Sequence, residues 1–442
     1  MWFVAFQALN AFSFNIGLGA PLVLLAHFIG AAESAIGVLL ALTPFMACLQ
    51  LAATNYADRL GYKRLMLMGW SLRAFMFLPI AVIPLLHGRV PNAVLIWMLI
   101  AYIFAFTAIR GFASGAWFPW ISLIVPPSKR GHFLGAEQLA FHVFVLISLF
   151  VAGLILGESP PPWRYTVIYV LAWASAMVSI GFLRRVPCPM PPEARARSRR
   201  RWRDVWAAVR RAWAYSPYRQ TTRYAAVHGF AFAAVGGFLI VFLRQDVGWS
   251  EGLVLKLAAG QTAGLALTSL LWGRLSDRTG SRPLMRVALT GYMGVLVTLG
   301  FCALGWFTLT APLMAALYVF LGFFDGAHAI PQSRLAMAAC PAEELTVGMA
   351  FYQVVVAVAR GGSALMWGVV IENLRRSSLP PFAVFFWSSV TLVIAAQLLL
   401  TRISEPRAHR TRQVLAMLFW QWPQRLFEAL PGVGGWQRRK RP

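Results

Sequence analysis

The sequence predicts an all-α integral membrane protein of about twelve membrane-crossing helices in two six-helix halves, and three observations carry that expectation. Of 442 residues, 59% are hydrophobic and only 12% charged, against about 25% charged in an average soluble protein. Apolar runs of about 20 residues, the length that crosses a hydrocarbon core, recur along the whole chain. A short basic loop is written twice, half a chain apart.

The runs place spans near 2–28, 35–56, 65–86, 93–124, 133–156, 164–183, 221–243, 252–273, 284–306, 311–339, 346–371 and 381–400. The first begins at Trp2 and is long enough to cross rather than to be removed as a leader. A proline-rich and arginine-rich stretch, 185–220, divides a first half, 1–184, from a second, 221–401, and a basic tail, 402–442, follows. Within the dividing stretch Trp202, Val205, Trp206, Val209 and Trp213 recur at helical spacing among arginines, which predicts an amphipathic helix lying on the membrane surface. Val414 to Leu430 in the tail has a looser version of that pattern.

A net charge of +25 raises the question of nucleic acid. The positions of the basic residues answer it. About 30 of the 40 Lys and Arg fall in alternate connections and in the tail, and about 5 in the opposite set, the asymmetry of a positive-inside topology. Both termini are therefore expected in the cytoplasm, and the clusters from Arg195 to Arg203 and Arg438 to Arg441 are expected to face anionic lipid rather than nucleic acid. The excess of arginine over lysine points to a bacterium with GC-rich codons, hence to a bacterial inner membrane. Cys48, Cys188, Cys302 and Cys340 lack the spacing of a zinc site or a disulfide framework and read as packing residues, so neither metal nor cofactor is expected.

The repeated loop is the most informative feature. After the second span stands Asp58-Arg59-Leu60-Gly61-Tyr62-Lys63-Arg64, and after the eighth Gly273-Arg274-Leu275-Ser276-Asp277-Arg278-Thr279-Gly280-Ser281-Arg282-Pro283. Their aspartates lie 277 − 58 = 219 residues apart, about half the chain, so two parallel repeats follow. Glycine suits a tight turn, arginines beside it meet lipid headgroups, and an aspartate held among them can pair with those arginines or with a helix end. Made in one arrangement of the halves and broken in another, such a contact is a latch on a two-state equilibrium.

The second loop resembles the signature of the major facilitator superfamily, Gly-x-x-x-Asp-Arg-x-Gly followed by basic residues. In the first loop Thr54 stands where the leading glycine belongs, while the Asp-Arg-x-Gly portion is kept. Pro126-Pro127-Ser128-Lys129-Arg130-Gly131 resembles a turn common after the fourth span of bacterial members. The resemblance implies two pseudo-symmetric six-helix bundles, a central cavity lined by the first, fourth, seventh and tenth spans, and secondary transport by alternating access. On it Asp58, Arg59, Gly61, Gly273, Asp277, Arg278, Gly280 and Arg282 are the conformational-switch residues.

A charge near the middle of a span costs about 2.5–3.5 kcal/mol on insertion scales and so faces a cavity or a partner. Arg110 lies midway along span 4, and Asp325 midway along span 10 with His328 on the same helical face. Gln7, Asn10 and Asn15 lie on span 1, and His228 on span 7. Arg110 offers five donors in a fixed fork, either to an anionic substrate or to Asp325. Asp325 is the candidate proton carrier, because burial and a neighbouring arginine act on a carboxylate in opposite senses. The alternative is a permanent Arg110–Asp325 ion pair that only satisfies two buried charges. Gln353 and Arg360 share a face of span 11 and are placed at the cavity or the seam between halves. Arg73, near the inner face of span 3, is expected to snorkel to the headgroups.

No phosphate loop, nucleophile elbow or zinc helix is written in the chain, and catalysis is not expected. The expected function is secondary transport of a small solute, an organic anion or a zwitterion, coupled to protons as symport or antiport, by a monomer in contact with membrane lipid. A non-transporting permease-like sensor and a lipid transporter or assembly factor on the same scaffold remain as alternatives.

Overall fold

The computed structural model describes residues 2–50, 53, 60–125, 130–188, 202–405 and 411, and for a few helical residues, Asp277 and Arg278 among them, the backbone only. Over these residues the chain is helix and turn, with one isolated bridge between His87 and Val90. Ten helices are long and apolar enough to cross a membrane: Trp2–Phe28, Tyr62–Leu86, Asn92–Ser114, Ala136–Leu156, Pro162–Arg185, Ser216–Gln245, Ser281–Ala303, Ala311–Ala339, Val347–Arg375 and Pro381–Thr401. Glu33–Ala47 and Glu251–Thr279 stand in the places expected of the second and eighth spans. The latter is long enough but carries Glu251, Lys256, Arg274, Asp277 and Arg278, which lower its hydropathy. These helices are spans 1 to 12 in chain order.

Several spans break where the sequence interrupts the hydrogen-bond ladder. Span 1 divides at Gly19, whose N–H still reaches the Asn15 carbonyl at 2.7 Å, and Pro21 starts the second piece, a position that needs no donor. Span 7 divides at Ala234. Span 4, expected as one helix over 93–124, ends at Ser114, and Trp117–Ile124 follows as a separate piece. The loop expected after span 8 is mostly helix: span 8 runs to Thr279, Gly280 alone turns the chain, and span 9 starts at Ser281.

The duplication is visible in the packing. In the first half span 1 packs on spans 5 and 6, span 2 on 4, and span 3 on 4 and 6, and each pair recurs six spans later, as 7 on 11 and 12, 8 on 10, and 9 on 10 and 12. Gly61 and Gly280, 280 − 61 = 219 residues apart, both hold the positive φ that favours glycine, 84° and 89°, as they open spans 3 and 9. Two residues on, Lys63 donates to the Val186 carbonyl at 2.8 Å, and Arg282 to those of Leu400 and Thr401 at 3.1 and 2.7 Å. Each cation caps the last turn of the sixth helix of its own half. Arg282, read from sequence as part of a switch between halves, thus binds within one half.

The amphipathic helix of the dividing stretch, Trp202–Ala214, is present but is not spread on lipid. Ala208, Val209 and Ala212 are buried, against the start of span 11 and the foot of span 7, near Val347 and Phe351. Arg211 pairs with Glu344 at 2.5 Å, while Trp206 stays 56% exposed. An apolar stripe of mostly small side chains matches a helical groove, and that packing takes the face expected to meet the membrane. The tail pattern at Val414 to Leu430, the clusters up to Arg201, and Asp58 and Arg59 lie outside the described residues.

Candidate functional site

The two halves meet chiefly along two seams, span 2 on span 11 and span 5 on span 8, which the repeat exchanges, and also where the second piece of span 1 touches spans 7 and 8. Glycines bring the backbones close. A Cβ on Gly368 would stand 2.7 Å from the Glu33 carbonyl oxygen and 3.0 Å from Gly37 Cα, and the Gly252 N–H donates to the Gly157 carbonyl at 2.7 Å. The side chains add two polar clamps at the same end of the molecule, the end away from the termini. Arg375 of span 11 pairs with Glu33 of span 2 and with Asp246 at 2.8 Å, and Glu372 accepts the Ser34 N–H at 3.3 Å. Tyr165 of span 6 donates to Glu251 of span 8, which Arg244 approaches at 3.4 Å. These hydrogen bonds and ion pairs join the halves at this one end.

Asp246, in the turn after span 7, is pushed above the ordinary aspartate value by burial, against the opposing pull of Arg375.

Below the clamps a cavity of about 220 Å³ opens between the halves. The breaks in spans 1 and 7 line it through Gly19, Gly236 and Gly237, and its polar lining is Asn15, Gln261, Thr262 and Tyr318. Asn15 is fixed by its bond to Ser148 at 2.8 Å. Gln261 donates to Asp325 at 2.7 Å, so the carboxylate lies directly behind the cavity wall.

Around Asp325 the second half gathers the groups expected there. His228 and His328 stack with ring centroids 3.6 Å apart and planes 16° apart, and Tyr224 bonds His328 Nε2 at 2.5 Å. Both nitrogens of His228 are buried without a partner. Arg360 is within electrostatic reach of Asp325 and both histidines, and it and Gln353 are exposed. Spans 7, 8, 10 and 11 thus bring these polar groups into one cluster next to the cavity.

The first half departs from expectation. Arg110 lies over the Phe14 ring at 4.6 Å and is not paired with Asp325, so the permanent ion pair is absent in this conformation. Asn10 and Gln7 bond each other at 3.3 Å, and Asn10 turns into the first bundle, where its oxygen accepts from Trp70 at 2.9 Å and from Arg73. Asn10 therefore lines no crevice here. Arg73 does not snorkel: it is 1% exposed, since Trp70 and Phe106 close over its planar group. Gly273, Asp277 and Arg278 fall in helical backbone at the end of span 8, and the side chains of the last two lie outside the described part.

A family model described as Major Facilitator Superfamily matches residues 1–364 and, in a second match, 224–425. The chain belongs to the Major Facilitator Superfamily. It is accordingly a multi-pass membrane protein. Solved structures with this fold include a variant of the nucleoside transporter NupG, 11% identical, TM-score 0.70, covering 92% of this chain and 100% of that one. Others are the inward-open xylose transporter XylE from E. coli, 14% identical, TM-score 0.69, 94% and 98% covered, and a POT family transporter in complex with 5-aminolevulinic acid, 11% identical, TM-score 0.68, 91% and 96% covered. At such identities the similarity is one of fold. No curated relative matches the sequence.

Within this superfamily member, sequence reasoning missed the clamp residues Glu33, Glu251, Tyr165, Asp246 and Arg375. A signal was present: Glu33 and Glu251 lie 251 − 33 = 218 residues apart, almost the period of the repeated loop, and each opens the second span of its half. It also passed over Glu137 of span 5, which is 2% exposed.

Proposed function

We propose that this chain is a secondary active transporter that carries a small polar solute, an organic anion or a zwitterion, by alternating access, with proton movement through Asp325. The observation that carries the reading is a cavity between two repeat-related halves, with Asp325 held behind its wall by Gln261 and polar clamps joining the halves at one end. Arg110, Asp325 and Arg360 would each cost about 2.5–3.5 kcal/mol if turned to lipid; facing a wet crevice they supply two cations and a carboxylate to a solute. With both termini on the cytoplasmic side of a bacterial inner membrane, the clamped end faces outward and the crevice faces the cytoplasm. Rocking of the halves as rigid bundles would break the clamps and close the other end. A carboxylate that gains and loses a cationic neighbour during that motion releases and takes up a proton in step. Both halves of one chain line the cavity, and in this reading the transporter works as a monomer in contact with lipid.

The NupG, XylE and POT structures are titled as transporters, and the last holds a zwitterion, which is compatible with this chemistry. The test begins with a thermal-shift screen of purified protein against a metabolite panel, because a ligand of the native state raises its apparent stability. The hit is then followed into sealed proteoliposomes under an imposed proton gradient. Accumulation is expected, and Asp325→Asn should abolish it while exchange continues. Unchanged accumulation by that variant would remove Asp325 from the mechanism. A ligand that binds yet never crosses the bilayer would make the protein a sensor, and headgroup-dependent activity would point to a lipid role.

A further inference from the structure

Arg73 is a buried cation that the crevice does not use. Its guanidinium carbon lies 5.1 Å from the centre of the Trp70 ring and 5.4 Å from that of Phe106. One nitrogen donates to Asn10, while Nε and the other terminal nitrogen, both sealed from solvent, have no partner. No carboxylate pairs with it among the described residues, and the charge that does act on it, Arg110, is of like sign.

The neighbouring helices present the same deficit. Tyr102 on span 4 is within electrostatic reach of both Arg73 and Tyr169 on span 6. The hydroxyls of Tyr102 and Tyr169 and the indole nitrogen of Trp173 are buried without partners. Tyr169 and Trp173 are four residues apart, on one face of span 6, which packs on spans 1 and 3. Every unsatisfied atom in this group is an N–H or O–H. Guanidinium and indole can only donate, and buried donors without acceptors are costly.

We propose that the interior of the first half holds a small monovalent inorganic anion, of the chloride class, against Arg73, Tyr102, Tyr169 and Trp173. A water molecule could accept from some of these donors but would leave the positive charge uncompensated. The enclosing rings and the burial of these donor atoms exclude a substrate-sized acid. The anion offsets Arg73 and leaves Arg110 as the cation that the first half shows to the crevice. The site lies inside one bundle, apart from the crevice, so it stands or falls independently of the transport reading.

The experiment uses the purified full chain in detergent, with sodium chloride replaced by sodium gluconate at constant ionic strength. The unfolding midpoint should rise saturably with chloride and with bromide and stay flat with gluconate. Tyr102→Phe, which keeps the ring and removes one donor, should raise the half-saturating chloride concentration about fivefold or more, and Arg73→Gln should abolish the response. In crystals grown with bromide, an anomalous peak should stand beside Arg73. Equal midpoints in chloride and gluconate, an unaltered chloride response in Tyr102→Phe, or bromide only elsewhere would overturn the proposal. Should Arg73→Gln fail to fold, Tyr102→Phe and the bromide peak still decide it.

Discussion

Glu33 and Glu251 hold the same place in the two halves, and both reach across the seam. Each is the first residue of its half's second span; Glu33 binds Arg375 of the second half, and Glu251 accepts the hydroxyl of Tyr165 of the first. Glu33→Gln removes the charge from a pair whose acid is nearly buried and whose arginine is 31% exposed. Exposure and the second partner, Asp246, discount the loss to about 1–2 kcal/mol. That should raise the population open at the clamped end roughly 5- to 30-fold. The rate at which an impermeant maleimide labels Val23→Cys, at the cavity wall, reads it. Glu251→Gln keeps an acceptor for Tyr165 and should change the rate less. Equal labelling of wild type and Glu33→Gln would refute the clamp.

The seams make a steric prediction. Gly368→Val places a branched side chain where a Cβ alone already stands 2.7 Å from backbone, so span 11 cannot rest on span 2 at the clamped end. The span pairs packed within each half are untouched by this contact, and the variant should remain folded with an unchanged elution profile. Transport should stop, and Val23→Cys should label at a high rate that substrate does not alter. Gly294→Ala, which meets nothing within 4 Å, is the control and should behave as wild type.

The fold was legible because span length, charge asymmetry and the 219-residue period all survive in local sequence. What decided the site was not local. By sequence Arg110 and Asp325 both read as midway along equivalent spans, which suggests that they meet; in the structure span 4 ends at Ser114, so Arg110 lies near its end while Asp325 is midway along span 10, and the bond from Gln261 gives Asp325 its own neighbours. Asn10 reads as a cavity residue by span membership, but a rotation set by Trp70 and Arg73 turns it inward. Helical period gives a face; only packing says which neighbour that face meets.

Asp246 gives the clamped end a pH dependence whose sign follows from linkage. Burial raises its proton affinity above the ordinary aspartate value of 3.8 in the clamped state. In an opened end the same carboxylate is expected to be hydrated and closer to that value. The clamped state therefore binds the proton more readily, and acidification favours it. The effect falls in the window just above 3.8 and fades toward neutrality, where the carboxylate is ionised in both states. Spin labels at Arg89→Cys and Phe307→Cys, on loops of opposite halves, should report a shorter mean distance as pH falls through that window. Asp246→Asn should flatten the profile. A distance that lengthens on acidification contradicts the assignment.

Arg282 separates a capping role from a switching role. Glu405 accepts the backbone N–H groups of Ser281 at 2.9 Å and Arg282 at 2.8 Å, closing the N-terminus of span 9, while the Arg282 side chain closes the C-terminus of span 12. Two helix ends satisfy each other, with a carboxylate at the positive end and a cation at the negative one. The first half has only part of this device, since Lys63 corresponds to Arg282 but Val186 stands where Glu405 does, 405 − 219 = 186. Glu405→Gln weakens charge-assisted bonds to two backbone donors and should cost about 1–2 kcal/mol. A drop of a few degrees in the unfolding midpoint would read this loss. Lys63→Met loses one bond and should cost less. If Arg282 only caps, Arg282→Ala lowers the midpoint and leaves the ratio of exchange to accumulation unchanged; a change in that ratio at unaltered stability would restore the switch role its place in the repeated loop suggests.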